Sequence, residues 1–255
     1  MSTSAPVALV TGGGRRIGRT ICLALAEAGF DVAVHHRAAP EAARDVVAGI
    51  QALGHRAATV AADLTDEAQL ACLIPQAAEA LGPITLLVNC ASLFEDDRVG
   101  RLDRARWDAH LQTNLRAPVM LAEAFAAHLP ADIPDGAASV VNILDQRVFK
   151  PNPQFFSYTL SKSALLTATR MLAQALAPRI RVNGVGPGPT LASIHQDADE
   201  FAREAANVPL GRGSAPEEIA EAVLYLARAR AVTGQMIAVD AGQHLAWRTP
   251  DIVND

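Results

Sequence analysis

Short apolar runs alternate along this chain with longer segments whose apolar residues recur every three or four positions. Val7-Ala8-Leu9-Val10 is the first run and reads as a buried strand. Thr11-Gly12-Gly13-Gly14-Arg15-Arg16-Ile17-Gly18 follows, then a helix with Ile17, Ile21, Leu25 and Ala28 on one face, stopped by Gly29. Residues 31–35 form the second strand and 40–53 the second helix, closed by Gly54. Ala57–Ala61 is the third strand, ending at Asp63, and a third helix over 66–81 stops at Gly82-Pro83. Ile84–Asn89 is the fourth strand; a charged loop, 94–104, leads to a long helix over 105–129. Strand five spans 139–144, the next helix 156–176, and strand six 180–185. A polar segment, 189–214, interrupts the alternation before a helix at 216–229 and a strand at 235–239. Strands alternating with helices predict an α/β fold with a parallel sheet covered on both faces. With no linker and no internal repeat, residues 1–255 read as one domain.

Composition narrows the function. Half of the 255 residues are hydrophobic but only 4% aromatic, which suits helices packed closely on a sheet through small side chains. A net charge of -5 and no Lys/Arg run argue against a nucleic-acid partner. Cys22, Cys72 and Cys90 have no metal-ligand spacing, and such sparse cysteines fit a reducing compartment. The start lacks a basic segment followed by a long apolar run, and no apolar run is long enough for a bilayer. The expectation is a cytoplasmic protein with neither a metal nor a membrane partner.

Three stretches carry chemistry. A glycine-rich turn between a first strand and a first helix lets backbone amides approach a pyrophosphate at the positive helix end. The spacing is Thr-Gly-x-x-x-Arg-x-Gly, with Gly12, Arg15, Arg16, Ile17 and Gly18 in contact range. The second strand ends in His35-His36-Arg37 and not in the acid that binds ribose hydroxyls in NAD enzymes. With Arg16, His36 and Arg37 read as a socket for a 2′-phosphate, hence NADPH/NADP; a solvated basic turn is the alternative. Asp63-Leu64 would flank the adenine, unless Asp63 only caps a helix that Thr65 or Asp66 could cap instead. Third, Tyr158 and Lys162 lie one turn apart on one helix face. A charge about 5 Å away, at an effective dielectric of about 20, is worth roughly 3 kcal/mol, or about 2 pKa units in favour of the phenolate. That expectation makes Tyr158 a usable acid-base group.

Together these residues resemble the short-chain dehydrogenase/reductase family over nearly the whole chain. The matching pieces are residues 11–18, Asp63-Leu64, Asn89-Cys90-Ala91-Ser92, Asn114, Tyr158-x-x-x-Lys162 and the run 181–188 ending in Pro187-Gly188. The resemblance implies a Rossmann-type doubly wound sheet of seven strands in the order 3-2-1-4-5-6-7. It also implies a nicotinamide cofactor touching Asn89, Ala91, Ser92, Tyr158, Lys162, Pro187 and Gly188, and a homotetramer on the long helices. Two departures point to the pteridine reductase and dihydromonapterin reductase branch. Arg16 stands at the family's middle glycine, and Asp145, thirteen positions before Tyr158, at its strand-five serine. Ser92 and Phe94 match that branch's segment whose aromatic stacks on the pterin, and Val208-Pro209-Leu210 resembles another of its segments.

The implied reaction is hydride transfer from NADPH to a C=N carbon of a dihydropterin, with a proton delivered to nitrogen. Lys162 would hold the nicotinamide ribose, Asn114 would help position Lys162, and Asp145 would relay protons with Tyr158. Competing burial and attraction to Lys162 leave the direction of the Asp145 shift open. Asp145 could alternatively only cap the following turn. Phe94 would sandwich the pterin against the nicotinamide, Arg16 would reach both a phosphate and a pterin oxygen, and Phe155 and Phe156 would pack at the helix start or line the pocket. Segment 189–214 would be a substrate lid. A ketone, oxoacyl or sugar reductase is the alternative reading.

Overall fold

The computed structural model describes residues 5–192 and 196–247. Its strands are β1 (Val7–Val10), β2 (Asp31–His36), β3 (Ala57–Ala61), β4 (Ile84–Asn89), β5 (Ala138–Ile143), β6 (Ile180–Pro187) and β7 (Met236–Val239). They form one parallel seven-stranded sheet in the order β3-β2-β1-β4-β5-β6-β7, as the resemblance implied. The strand order reverses between β1 and its two neighbours, β2 and β4. That divergence opens a crevice at the carboxyl ends of the strands, where doubly wound sheets hold their ligands.

Successive side chains of each strand enter opposite layers. On one face, Leu9, Leu87 and Val140 pack under α3 (Glu67–Leu81), α5 (Ala117–His128) and α6 (Phe156–Leu176), through Leu73, Leu121, Phe125 and Ala173. On the other, Val10, Val34 and Val88 meet α1 (Arg16–Glu27), α2 (Pro40–Ala52) and α8 (Pro216–Arg228), through Ile21, Leu25, Ile50 and Ile219. Both faces of the central strands are buried, so these strands are continuous apolar runs and not alternating ones.

Two features differ from the sequence reading. The long helix expected over 105–129 is α4 (Arg104–Leu111) and α5 joined by one wide π-turn, Gln112–Arg116. Such turns insert a residue and collect at functional sites; this one contains Asn114, fully buried. The polar segment 189–214 contains a helix, α7 (Ala198–Ala206), opened by a capping box between Asp197 and Glu200. Its polarity hid it, because α7 buries no residue; residues 193–195 of the expected lid lie outside the described ones.

Candidate active site

A cavity of about 1280 Å³ opens at the crevice. Its floor is the glycine turn. Gly12 has φ +66°, and a Cβ there would lie 2.9 Å from Cα of Ala91, so backbone from β1 and β4 meets with no side chain between. The Thr11 hydroxyl accepts from the amides of Cys90 (2.9 Å) and Ala91 (3.0 Å), tying the two strand ends together. The first turn of α1 has no side-chain cap and no acidic residue, so its amides and positive end face the cavity unopposed.

His35, the first residue of the basic run at the end of β2, braces this turn. It is 2% exposed; its Nδ1 accepts from the Gly12 amide (3.0 Å), and its Nε2 donates to the Ala62 carbonyl (3.0 Å). Accepting on one nitrogen and donating on the other requires the neutral ring. Burial pushes its pKa down to about 4.

Arg15, Ile17 and Gly18 line the cavity, as expected. Arg16 also lines it but is not free. At φ +51°, in the region where the family's glycine sits without strain, it turns its guanidinium to the carbonyls of Ala192 (2.9 Å) and Leu191 (3.2 Å). In this structure, the side chain expected to reach a phosphate and a pterin oxygen straps the segment after β6. At the β2 end, Arg37 lines the cavity and no carboxylate belongs to that turn. His36 does not line it; its Nδ1 is buried without a partner. Asp63 and Leu64 line the wall, and Asp63 also accepts from the Thr65 amide (2.9 Å) and hydroxyl (2.8 Å), which lower its pKa. Asp66 caps α3. Asn89 lies behind the wall, donating to Asn142 Oδ1 (2.8 Å). Ala91, Ser92, Pro187 and Gly188 line the cavity.

The chemistry is concentrated at the β5 end. Asp145 divides its carboxylate: Oδ1 accepts from the Arg147 amide (2.8 Å), capping the turn Gln146–Val148, and Oδ2 accepts from the Tyr158 hydroxyl (2.8 Å). The carboxylate thus caps the turn and bonds the phenol at once. Burial raises its pKa, and the Arg147 amide, the Arg147 charge, Tyr158 and Lys162 pull against that rise. Burial outweighs Lys162.

Tyr158 departs from expectation. It is 5% exposed, and its pKa is raised well above the ordinary value by burial and then by the Asp145 carboxylate; Arg147, not Lys162, is the cation that opposes the rise. The Lys162 ammonium lies 5.8 Å from the centre of the phenol ring and donates to the Ile143 carbonyl (2.8 Å). Burial lowers the Lys162 pKa to about 8. Tyr158 is placed as a donor to the Asp145 carboxylate, and burial together with that carboxylate opposes the phenolate that Lys162 was expected to favour.

Arg147 gave no signal in the sequence beyond its place two residues after Asp145. Its guanidinium carbon sits 5.1 Å from the Phe155 ring centre, a cation–π contact, and its Nη1 is buried without a hydrogen-bond partner. Phe155, with φ +50° at the start of α6, stacks on Phe94 with centroids 4.1 Å apart and planes 9° apart. One face of Phe94 is therefore covered by Phe155, and its ring meets Tyr158 edge-on at 4.7 Å. Asn114 makes no direct hydrogen bond to Lys162; the link that the resemblance implies runs through water. It accepts from the Leu93 amide (2.8 Å) and the Ser92 hydroxyl (3.2 Å), and donates to the Leu93 carbonyl (2.9 Å) and Ser161 (3.2 Å).

The residues fit a nicotinamide dinucleotide. An uncapped helix start, a close Gly12–Ala91 approach and Arg37 in place of an acid suit a pyrophosphate and a phosphorylated ribose. Among the described residues no cluster of His, Cys, Asp and Glu could hold a metal ion, and no helix is long and apolar enough to cross a membrane.

A family model described as enoyl-(acyl carrier protein) reductase matches residues 13–244. Two solved structures are similar along almost the whole chain. One is FolM alternative dihydrofolate reductase 1 from Brucella canis complexed with NADP, 50% identical, covering 98% of each chain with TM-score 0.93. The other is its Brucella suis counterpart with NADP, 51% identical, covering 99% of this chain and 100% of that one, also with TM-score 0.93. The 3-oxoacyl-[acyl-carrier-protein] reductase FabG of Staphylococcus aureus is 30% identical over 243 residues, 93% of this chain and 98% of that protein.

Proposed function

The chain belongs to the short-chain dehydrogenase/reductase family, and on that premise we propose that it is an NADPH-dependent reductase of dihydropterins. Its standing as an oxidoreductase that takes NADP(H) rests on the family match and on neighbours of about half identity crystallised with NADP. The pterin substrate rests above all on one observation, the 2.8 Å bond from the Tyr158 hydroxyl to Asp145. A dihydropterin ring carries N–H and amino donors, which a carboxylate can accept; a bare ketone offers only acceptors. The two FolM structures support the same substrate class.

The bound nicotinamide supplies the hydride. Every other part belongs to the chain. Tyr158 keeps its proton through the neutral range and gives it to the ring nitrogen of the reduced C=N bond. Once Tyr158 has given its proton away, Asp145, with its raised pKa, takes a proton from solvent and passes it to the phenolate oxygen across their bond. Lys162, fixed by the Ile143 carbonyl, presents its ammonium to the ribose side of the site, and Arg147 stabilises negative charge on the Asp145–Tyr158 pair. Phe94, stacked on Phe155 and edge-on to Tyr158, stands beside the place the flat ring would take. The family's homotetramer and a lid formed by 189–214 are part of the same proposal. Exposed Met120 on α5 and Met171 on α6 support the former, and the α7 residues Arg203 and Glu204 at the cavity mouth the latter.

The FabG likeness favours a second reading, reduction of a ketone. NADPH consumption measured side by side with dihydrobiopterin, dihydromonapterin, dihydrofolate and an oxoacyl ester separates the two. The proposal expects a dihydropterin or dihydrofolate to win on kcat/KM; a winning oxoacyl ester contradicts it.

A further inference from the structure

Behind Tyr158 lies a second buried polar chain that no step above uses. The Glu95 amide donates to His110 Nε2 (3.2 Å), and His110 Nδ1 meets Ser157 Oγ at 2.7 Å. Because Nε2 accepts, the neutral ring carries its proton on Nδ1 and donates it to Ser157. The Ser157 hydroxyl in turn donates to Asp97 Oδ2 in a very short bond, and the Ser157 amide donates to Asp97 Oδ1 (3.0 Å). His110 and Ser157 are fully buried and Asp97 is 3% exposed.

The residue types are those of a hydrolytic triad, but the direction is wrong for one. A nucleophilic serine hands its proton to an imidazole nitrogen that is free to accept. Here the imidazole donates to the serine, the serine proton goes to the carboxylate, and none of the three lines the cavity. The chain does something else. α6 starts at left-handed Phe155 without a side-chain cap of its own. Asp97 supplies the cap from outside, its carbonyl accepting from the Phe156 amide (3.1 Å) and its carboxylate from Ser157. The loop after β4 is thereby pinned to the helix one residue before Tyr158, while Asn114 pins its other end at Leu93. Phe94 sits between the two pins, edge-on to Tyr158.

We propose that Asp97, His110 and Ser157 are positioning residues that set where Phe94 stands relative to Tyr158, and so govern substrate affinity without governing the cofactor's. The choice of a dihydropterin as the reporting substrate rests on the reading of the site given above; the relay itself does not. Breaking one link leaves a buried donor or acceptor unpaired and frees the loop, while the glycine turn, Arg37 and Lys162 are untouched.

The test uses Ser157→Ala and Asp97→Asn in the full chain. Asp97→Asn keeps volume but leaves the Ser157 hydroxyl facing an amide donor. Four quantities are read: amide hydrogen exchange over 92–98, NADPH affinity, and KM and kcat for dihydrobiopterin. In both variants exchange over 92–98 should speed up and KM should rise about ten-fold or more, as expected for unpaired buried groups. NADPH affinity should stay within about two-fold and kcat within about three-fold, the signature of lost substrate positioning. The double variant should cost no more than the worse single, because the links form one chain. Unchanged exchange, or NADPH affinity falling in step with KM, overturns the proposal, and so does unfolding of both variants, which would mean a role in global stability. If the wild type reduces no dihydropterin but exchange over 92–98 still rises in both variants, the substrate reading fails and the relay stands.

Discussion

The hydroxyl of Tyr158 and the carboxylate of Asp145 meet at 2.8 Å across thirteen residues of chain. One lies in the first turn of α6 and the other just past the end of β5, so the sheet and the catalytic helix converge on a single proton.

Tyr158→Phe removes that proton and little else. It should lower dihydropterin turnover by about 10² to 10⁴, the usual contribution of a positioned acid-base group. NADPH affinity should hold, because the cradle formed by Gly12, Arg37 and Ala91 is unaltered. Turnover near the wild-type value, measured by NADPH oxidation under saturation, would remove the phenol from the mechanism.

The raised Asp145 pKa fixes the direction of the pH dependence. Asp145 accepts as a carboxylate in the resting site and must take a proton from solvent to restore Tyr158 after each turnover, so kcat should be high below its pKa and fall as pH rises through it, above the ordinary carboxylate value of about 3.9. The charge of Arg147 holds Asp145 and Tyr158 down. Arg147→Gln should therefore move the falling limb to higher pH. Because the pair titrates as a unit, the limb belongs to both groups. A pH–rate profile whose limb stays put in Arg147→Gln would count against this electrostatic role.

Arg37 should carry the preference for NADPH. A charge-assisted bond to the 2′-phosphate is worth about 1.5–3 kcal/mol, so Arg37→Ala should cost about 10- to 100-fold in kcat/KM with NADPH and little with NADH. Arg16 should contribute less than the sequence suggested, since its guanidinium is engaged with Leu191 and Ala192. Equal losses with the two cofactors in Arg37→Ala would refute the assignment.

His35 should make the protein acid-sensitive. Its folded pKa of about 4 lies below the ordinary 6.5, so the unfolded chain binds more protons between those values. Stability from this group is full above about 6.5 and is lost as pH falls toward 4, by about 3 kcal/mol in total. His35→Gln cannot titrate. Urea midpoints at pH 7 and 4.5 should therefore diverge more in the wild type than in the variant; equal differences would contradict the buried neutral imidazole.

Much of this was legible in the sequence for physical reasons. Strands buried on both faces are close to unbroken apolar runs, so β1 and β4 could be delimited to the residue, and so could β3, a short Ala/Val run at the sheet edge. The Tyr158, Lys162 and Asp145 positions follow from spacing along a helix and back to a strand end. What escaped depends on contacts distant in sequence. The strap from Arg16 to Leu191 and Ala192 spans more than 170 residues, and nothing local marks it. Lys162 failed to lower the Tyr158 pKa because a through-space charge was weighed without the burial and the neighbouring carboxylate that outweigh it. α7 was missed because it has no buried face, although its Asp197-x-x-Glu200 capping pattern was there to be read.

The central claim is that Asp145 makes this site a pterin site, and Asp145→Ser tests it most directly. The substitution restores the wider family's residue beside Tyr158 while leaving the cofactor cradle intact. kcat/KM should be measured for a dihydropterin and for a simple ketone in both proteins, with NADPH affinity as control. The account predicts that dihydropterin reduction falls by about 10²-fold or more, that NADPH affinity is nearly unchanged, and that any ketone activity holds or improves. If Asp145→Ser reduces the dihydropterin as well as the wild type does, the carboxylate is not what selects the substrate and the ketone reading takes its place.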